Sequence, residues 1–303
     1  MTEDSTAAAE ATPLVRLRLD LAYDGTDFAG WARQADGLRT VQGVLEDALR
    51  VAAGRAPGPV PRLVVAGRTD AGVHAAGQVA HVDLSEAQLD ALVRRHGGTG
   101  DVARVAERLT GMLAVSGDVV VHRASAAPAG FDARFSAVHR RYRYRIADAT
   151  PARDPLERRR TLWHSRRLEL ELLRAAAAPL PGLHDFAAYC RPRPGATTIR
   201  TLQSFTWERE AGGVLVAEVQ ADAFCHGMVR SLVGAALAVG GGRLPPARMH
   251  ELLDTEGRTG EFATAPAHGL TLVEVAYPPD AELAPQADRA RARRASGDTP
   301  PMG

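Results

Sequence analysis

The chain contains no lysine, so all 37 of its basic residues are arginine. A Walker-type phosphate loop needs a lysine, and Schiff-base or pyridoxal chemistry needs an amine, so composition excludes both. Asparagine is missing as well, while alanine, glycine and arginine abound, so the arginine total reflects compositional bias and carries no functional meaning. Cysteine is reduced to Cys190 and Cys225, far apart and without a C-x-x-C partner. Neither a disulfide framework nor a cysteine zinc site is expected, and both read as buried or half-buried thiols. No apolar run approaches the roughly 18 residues of a membrane span. The start, Met1-Thr2-Glu3-Asp4, is acidic where a secretory leader would be basic, so a cytoplasmic location is expected.

What remains is a globular composition: 303 residues, 45% hydrophobic and 24% charged, enough for two domains with cores of their own. Val15, Leu17, Leu19, Leu21 and Tyr23 alternate with polar residues, which predicts a half-buried strand ending at Asp24-Gly25. Thr40 is placed to cap a helix with an apolar stripe of Val41, Leu45, Ala48, Leu49 and Ala52, stopped by Gly54. Ser85 and Gln88 form a capping-box pattern for a helix running to about His96. Asp101 to Leu113 reads as a further helix and Asp118 to Arg123 as a strand. Paired strands over Ile199–Glu208 and Val214–Ala221, a helix over His226–Val239 and a strand over Leu270–Tyr277 complete the second half. The reading is an α+β chain of two similar layered domains with mostly antiparallel sheets, residues 14–125 and 126–278. Residues 1–13 and 279–303 lack periodicity and are expected to be disordered tails.

Charge is concentrated in one band. Between Phe131 and Arg167 eleven arginines face Asp132, Asp148, Asp154 and Glu157, a net of +7 in a chain of net +1. That is the footprint of a polyanion binder. Within it, Val138, Arg140, Tyr142, Tyr144 and Ile146 alternate with His139, Arg141, Arg143 and Arg145, which predicts a strand with one cationic and one partly aromatic face. Arginine interleaved with tyrosine suits stacking on an unpaired base beside its phosphates.

Chemistry is concentrated elsewhere, at Gly67 to Asp83. Val64-Val65 and Gln78–Leu84 read as strands, and between them a Gly-rich turn presents Asp70 beside Arg68 and near His74 and His81. A carboxylate held there is available as a nucleophile or base. Asp-Ala-Gly is also ordinary turn chemistry, since aspartate caps its own backbone. Two other classes compete. Asp70, His74, His81 and Asp83 are residue types that suit a divalent ion in a phosphodiesterase, although their strand spacing argues against it. A non-catalytic RNA-binding module explains the basic band but not the Asp70 turn. A retaining glycosidase needs a second carboxylate, and none pairs with Asp70.

Eight strings in order decide the matter. They are Tyr23-Asp24-Gly25-Thr26 with Gly30-Trp31; Thr40-Val41-Gln42-Gly43; Gly67-Arg68-Thr69-Asp70-Ala71-Gly72-Val73-His74; Gln78-Val79-Ala80-His81; Phe131-Asp132-Ala133-Arg134-Phe135-Ser136-Ala137; Arg141-Tyr142-Arg143-Tyr144; Phe224 with Met228-Val229-Arg230; and Ala265-Pro266 with Gly269-Leu270. Over about residues 15–277 the chain resembles the tRNA pseudouridine synthase A family. The resemblance implies the pseudouridine synthase fold with an RNA cleft between its halves. It also implies a cofactor-free, metal-free isomerase, usually a homodimer, that makes pseudouridine at three neighbouring positions of the tRNA anticodon stem-loop.

Residue roles follow from the same match. Asp70 corresponds to the catalytic aspartate, which attacks C1′ or C6 or takes a ribose proton; the sequence leaves these routes open. Arg68 corresponds to the arginine that holds RNA while the uridine is out of its stack. Tyr142 corresponds to the active-site tyrosine under the base, with a hydroxyl placed to help with the C5 proton. Arg230 corresponds to the arginine that pairs with Asp70, and Leu270 to the apolar residue under the uracil. Phe131, Asp132, Ala133, Arg134 and Phe135 match a segment that contacts RNA, and Arg141 is expected to meet phosphate. Leu109-Thr110-Gly111-Met112-Leu113 departs from the family's usual string there, which weakens any expectation of tRNA contacts at that helix.

Overall fold

The computed structural model describes residues 13–34, 37–94, 101–195 and 197–296. The strands are β1 (Leu14–Tyr23), β2 (Val64–Val65), β3 (His74–Ser85), β4 (Val119–Ala126), β5 (His139–Ala147), β6 (Leu162–Trp163), β7 (Gly182–Asp185), β8 (Ile199–Arg209), β9 (Leu215–Ala221) and β10 (Leu270–Ala276). The helices are α1 (Val41–Ala53), α2 (Glu86–Val93), α3 (Arg104–Leu113), α4 (Leu170–Ala177), α5 (Met228–Gly240), α6 (Arg248–Glu251) and α7 (Leu283–Ser296).

One sheet takes up every strand, in the order β4-β1-β3-β10-β5-β9-β8-β7, with β2 added to β3 and β6 to β5. The ladders are antiparallel except β5 with β6 and β3 with β10. The β3–β10 ladder pairs Thr271 with His74 and Leu272 with Ala75, so a C-terminal strand closes the seam between the two halves. The sheet is therefore continuous where the sequence suggests a break near residue 126.

Local signals that predict elements act as expected. Thr40 accepts the Gly43 N–H at the start of α1, and its apolar stripe is buried. Ser85 and Gln88 form a reciprocal capping box at α2. The helix stops at Val93, short of the expected His96, because Arg94 turns to extended backbone (φ −68°, ψ 129°); residues 95–100 lie outside the described residues. Leu17, Leu19, Leu21 and Tyr23 supply the buried face of β1, and Tyr142, Tyr144 and Ile146 that of β5. Burying these side chains stabilises each strand by about 1.5–3 kcal/mol per large residue.

The C-terminal tail departs from expectation. Asp280–Glu282 form a short turn and Leu283–Ser296 a helix, where disorder is expected. Leu283 and Ala287, one turn apart, are buried. Ser136 donates its hydroxyl to the Leu283 carbonyl at 3.0 Å, and Arg291 pairs with Asp132 at 3.1 Å. Two small apolar anchors among many charges give a helix too faint a periodicity to read, yet enough to dock it. Residues 1–12 and 297–303 lie outside the described residues.

Candidate active site

Asp70 sits where the first half of the chain folds back on itself. The turn that carries it hangs from β3: Gln78, fully buried, donates to the Gly67 carbonyl at 2.9 Å and to the Tyr23 hydroxyl at 3.2 Å. Tyr23 in turn shares a 2.8 Å hydrogen bond with Thr69. The Trp31 N–H donates to the Thr69 carbonyl at 3.1 Å. Beneath these bonds lies Gly30, with φ +98°; a Cβ there would stand 3.0 Å from the Thr69 oxygen and 3.3 Å from the Asp70 carbonyl carbon. Only glycine adopts that conformation and admits that approach without strain. The aspartate is thus carried by a turn clamped from three segments.

The second half of the chain brings the partners. Arg230, on the first turn of α5, places Nη1 3.3 Å from Asp70 Oδ2, and its Nε donates to the Ala265 carbonyl at 2.8 Å. Ala265 lies close because Gly234, one turn further on, has no side chain: a Cβ there would meet the Ala263 oxygen at 2.0 Å. His226 Nε2 approaches Asp70 Oδ1 to 3.5 Å from the opposite side. The Asp70 side chain remains 28% exposed, so an edge of the carboxylate faces the cleft. Tyr142 lies nearby, edge-on to Phe224 at 5.2 Å between centroids. Burial, reinforced by Tyr23 and Asp70, pushes its phenol well above the usual range, so it stays neutral. Leu270, paired in register with Tyr144, lines the same floor.

These groups open into a cleft of about 810 Å³ along the β3–β10–β5 seam. Its charged lining, among the described residues, is six arginines (68, 134, 140, 191, 193 and 230), His226 and Asp70. Arg140 is structural. It is buried, and its guanidinium donates to the carbonyls of Asp222, Ala66 and Arg134 at 2.6–2.8 Å, pinning three walls together. Burial, then repulsion from Arg68 and Arg193, pulls the pKa of Arg134 below the usual arginine value. Like charges gathered this closely make the local potential positive and favour an anion.

Of the residues expected from sequence, Arg68, Asp70, Arg134, Tyr142, Arg230 and Leu270 come together in this cleft. The others do not. Arg141 and its neighbours alternate with Tyr142 and occupy the other face of β5, where the charge is already matched. Arg141 lies 2.7 Å from Glu274 and Arg143 2.6 Å from Glu218, each its direct cross-strand partner, and Arg145 lies 3.0 Å from Glu210. The expected cationic face is a neutral ladder of ion pairs.

The Phe131 segment is likewise mostly internal. Phe131 packs on Tyr277 at 5.0 Å and beneath the Arg18 guanidinium, Ala133 is buried, and Asp132 accepts the N–H groups of Arg134 and Phe135. Arg134 is the member of that segment that reaches the cleft.

The carboxylate and imidazole groups of the metal alternative do not converge. Asp83 forms a two-point ion pair with Arg16, and His81 Nδ1 accepts the Ala133 N–H. His74 Nδ1 accepts the Gly25 N–H, and Nε2 lies 2.7 Å from the Arg159 carbonyl. Cys190 and Cys225, read from sequence as separate thiols, are paired, with Cα atoms 5.8 Å apart. Folding brings together what 35 residues of sequence separate. Arg191, Arg193 and His226 have no recognisable pattern around them, and only this folding-back reveals them as cleft residues.

The sequence is similar to known proteins along most of its length. The family described as tRNA pseudouridine synthase matches residues 176–278. The tRNA pseudouridine synthase A of Leifsonia xyli subsp. xyli is 57% identical over 282 residues, covering 92% of this chain and 97% of the relative. That of Streptomyces griseus is 55% identical over 278 residues, covering 91% and 93%, and that of Mycobacterium leprae 51% over 284 residues, covering 93% and 96%. With identity at this level along nearly its whole length, the chain belongs to the tRNA pseudouridine synthase A family.

Proposed function

We propose that this isomerase converts uridine to pseudouridine at three neighbouring positions of the tRNA anticodon stem-loop, with Asp70 as its catalytic group. The observation that carries the reading is the isolation of Asp70. It is the one carboxylate among the described residues lining a cleft that six arginines make cationic. Isomerisation moves the uracil from N1 to C5 attachment without gain or loss of atoms and without net oxidation, so one carboxylate is sufficient. Whether Asp70 attacks carbon or removes a ribose proton, it needs an oxygen facing the sugar. Arg230 on Oδ2 serves that need by fixing the side-chain rotamer.

Extruding a base from its stack costs a few kcal/mol. Arg68, exposed at the cleft mouth, is placed to fill the gap and offset part of that cost. The extruded uracil stacks against Tyr142 over the apolar floor at Leu270. Arg134, Arg191 and Arg193 carry the flanking phosphates. No helix among the described residues is long and apolar enough to cross a membrane. The resemblance extends the proposal to a cytoplasmic homodimer, for which sedimentation should give twice the chain mass of 32.2 kDa.

Tritium release from tRNA transcripts labelled at uridine C5, under excess EDTA, tests the reading. The parent protein should release tritium and Asp70→Asn should release none while still binding tRNA. Equal release by both proteins would remove Asp70 from the chemistry. Binding without release by either would leave an RNA-binding protein.

A further inference from the structure

His226 is the cleft residue that neither the motif match nor the proposed chemistry uses, and it touches the proposed catalytic group. Its Nε2 lies 3.5 Å from Asp70 Oδ1, opposite Arg230, which holds Oδ2 at 3.3 Å. The backbone around it is fixed. The Arg191 N–H donates to the His226 carbonyl at 2.9 Å, the Met228 N–H donates to the Cys225 carbonyl at 3.1 Å, and Cys225 is bonded to Cys190. The ring itself is 37% exposed and points into the cleft. A rigid backbone carrying a ring aimed at one oxygen of a carboxylate is the arrangement of a positioning group.

We propose that His226 is a positioning residue for Asp70 whose protonation state sets how much of Oδ1 is free to react. The proposal rests on the catalytic role of Asp70 given above. Neutral His226 offers a single, weak donor and leaves the Oδ1 lone pairs toward the substrate. Protonated His226 adds a second cation to a carboxylate already held by Arg230 and ties up the reactive oxygen. The charged and titratable groups that line the cleft with the imidazole are Asp70 from the turn after β2, Arg230 from α5, and Arg191 and Arg193 from the segment after Cys190. Across the cleft stand Arg68, Arg134, buried Arg140 and neutral Tyr142.

Two measurements on the full-length protein test the proposal. In the first, without RNA, the histidine ring resonances are titrated by NMR, with His226→Gln assigning the peak. Asp70→Asn should move the His226 titration to lower pH, and an unchanged titration would overturn the coupling whatever the enzyme does. In the second, tritium release is followed between about pH 6 and 8, where histidine titrates. For the parent, kcat should fall about tenfold per unit on the acid side while KM for tRNA does not rise. His226→Gln keeps a donor without titrating and should retain kcat within about threefold at pH 8 and lose the acid limb. His226→Phe should lose kcat at every pH by tenfold or more with KM little changed. Parent-like pH profiles and rates in both variants would reduce His226 to a wall residue. A parent that releases no tritium, with coupling intact by NMR, would overturn the proposed function and leave the clamp standing.

Discussion

Arg230 divides its guanidinium between two oxygens: Nε gives 2.8 Å to the Ala265 carbonyl and Nη1 gives 3.3 Å to Asp70 Oδ2. A planar fork does both, whereas an ammonium is a point donor without that geometry. Charge-assisted hydrogen bonds contribute about 1.5–3 kcal/mol, which is roughly 10- to 100-fold in rate if expressed in the transition state. Arg230→Ala should lower kcat by about that factor, and Arg230→Lys should recover only a small part of it. Rapid-quench single-turnover rates at saturating tRNA measure the loss directly. A lysine variant with the parent rate would show that charge alone, without the fork, is sufficient.

The ion-pair ladder on β5 separates two kinds of arginine. Arg141 is already neutralised by Glu274, while Arg193 lies in the cleft with no acidic partner among the described residues. Each phosphate neutralised contributes about 0.7–0.9 to the slope of log affinity against log salt. Arg193→Ala should therefore weaken tRNA binding and reduce that slope by about one, and Arg141→Ala should leave the slope unchanged. Filter binding over a series of salt concentrations distinguishes them. A reduced slope for Arg141→Ala would mean that the RNA path runs over the far face of the sheet.

Gly30 supports Asp70 from below through backbone alone. Ala at this position would carry φ +98° and press a methyl to 3.0–3.3 Å from Thr69, Asp70 and Ala71. A non-glycine residue held at such a φ costs about 1–3 kcal/mol, and relief of that strain means moving the turn. Gly30→Ala should lower kcat more than tenfold while tRNA affinity, set by the arginine walls, changes less than threefold. Equal losses in kcat and affinity would point to general unfolding of the cleft instead.

How much of this was legible beforehand follows from the range of each interaction. Asp70 stands out locally in its Gly-rich turn and Tyr142 in its alternating strand, whereas Arg230 and Leu270 are marked as site residues only by the family resemblance. The alternation of β5 correctly separated Arg140 and Tyr142 from Arg141 and Arg143. It could not reveal that Glu274 and Glu218 stand directly across from the latter, since cross-strand partners come from register and not from local pattern. Arg191, Arg193 and His226 join Asp70 in one cleft only after the segments near Cys190 and Cys225 converge. The tail helix leaves no clear mark in the sequence because Leu283 and Ala287 are too few to set a periodicity.

His81 ties pH to stability. Its ring is 3% exposed, and Nδ1 accepts the Ala133 N–H at 3.0 Å, a bond that requires the unprotonated nitrogen. Burial first, then the charge of Arg16, lowers its pKa from 6.5 to about 4, against the smaller pull of Asp132 and Asp83. Between those values the unfolded chain holds a proton there that the native protein does not, so stability rises with pH across the window. The contribution should be complete above about pH 6.5 and lost progressively toward pH 4, amounting to about 3 kcal/mol in all. His81→Asn places its Oδ1 where Nδ1 accepts from Ala133, without titrating, and should flatten that part of the profile. Urea midpoints for parent and variant, taken at half-unit steps through the window, measure the difference. Parallel profiles would mean that His81 is protonated in the native state and that its bond to Ala133 does not form in solution.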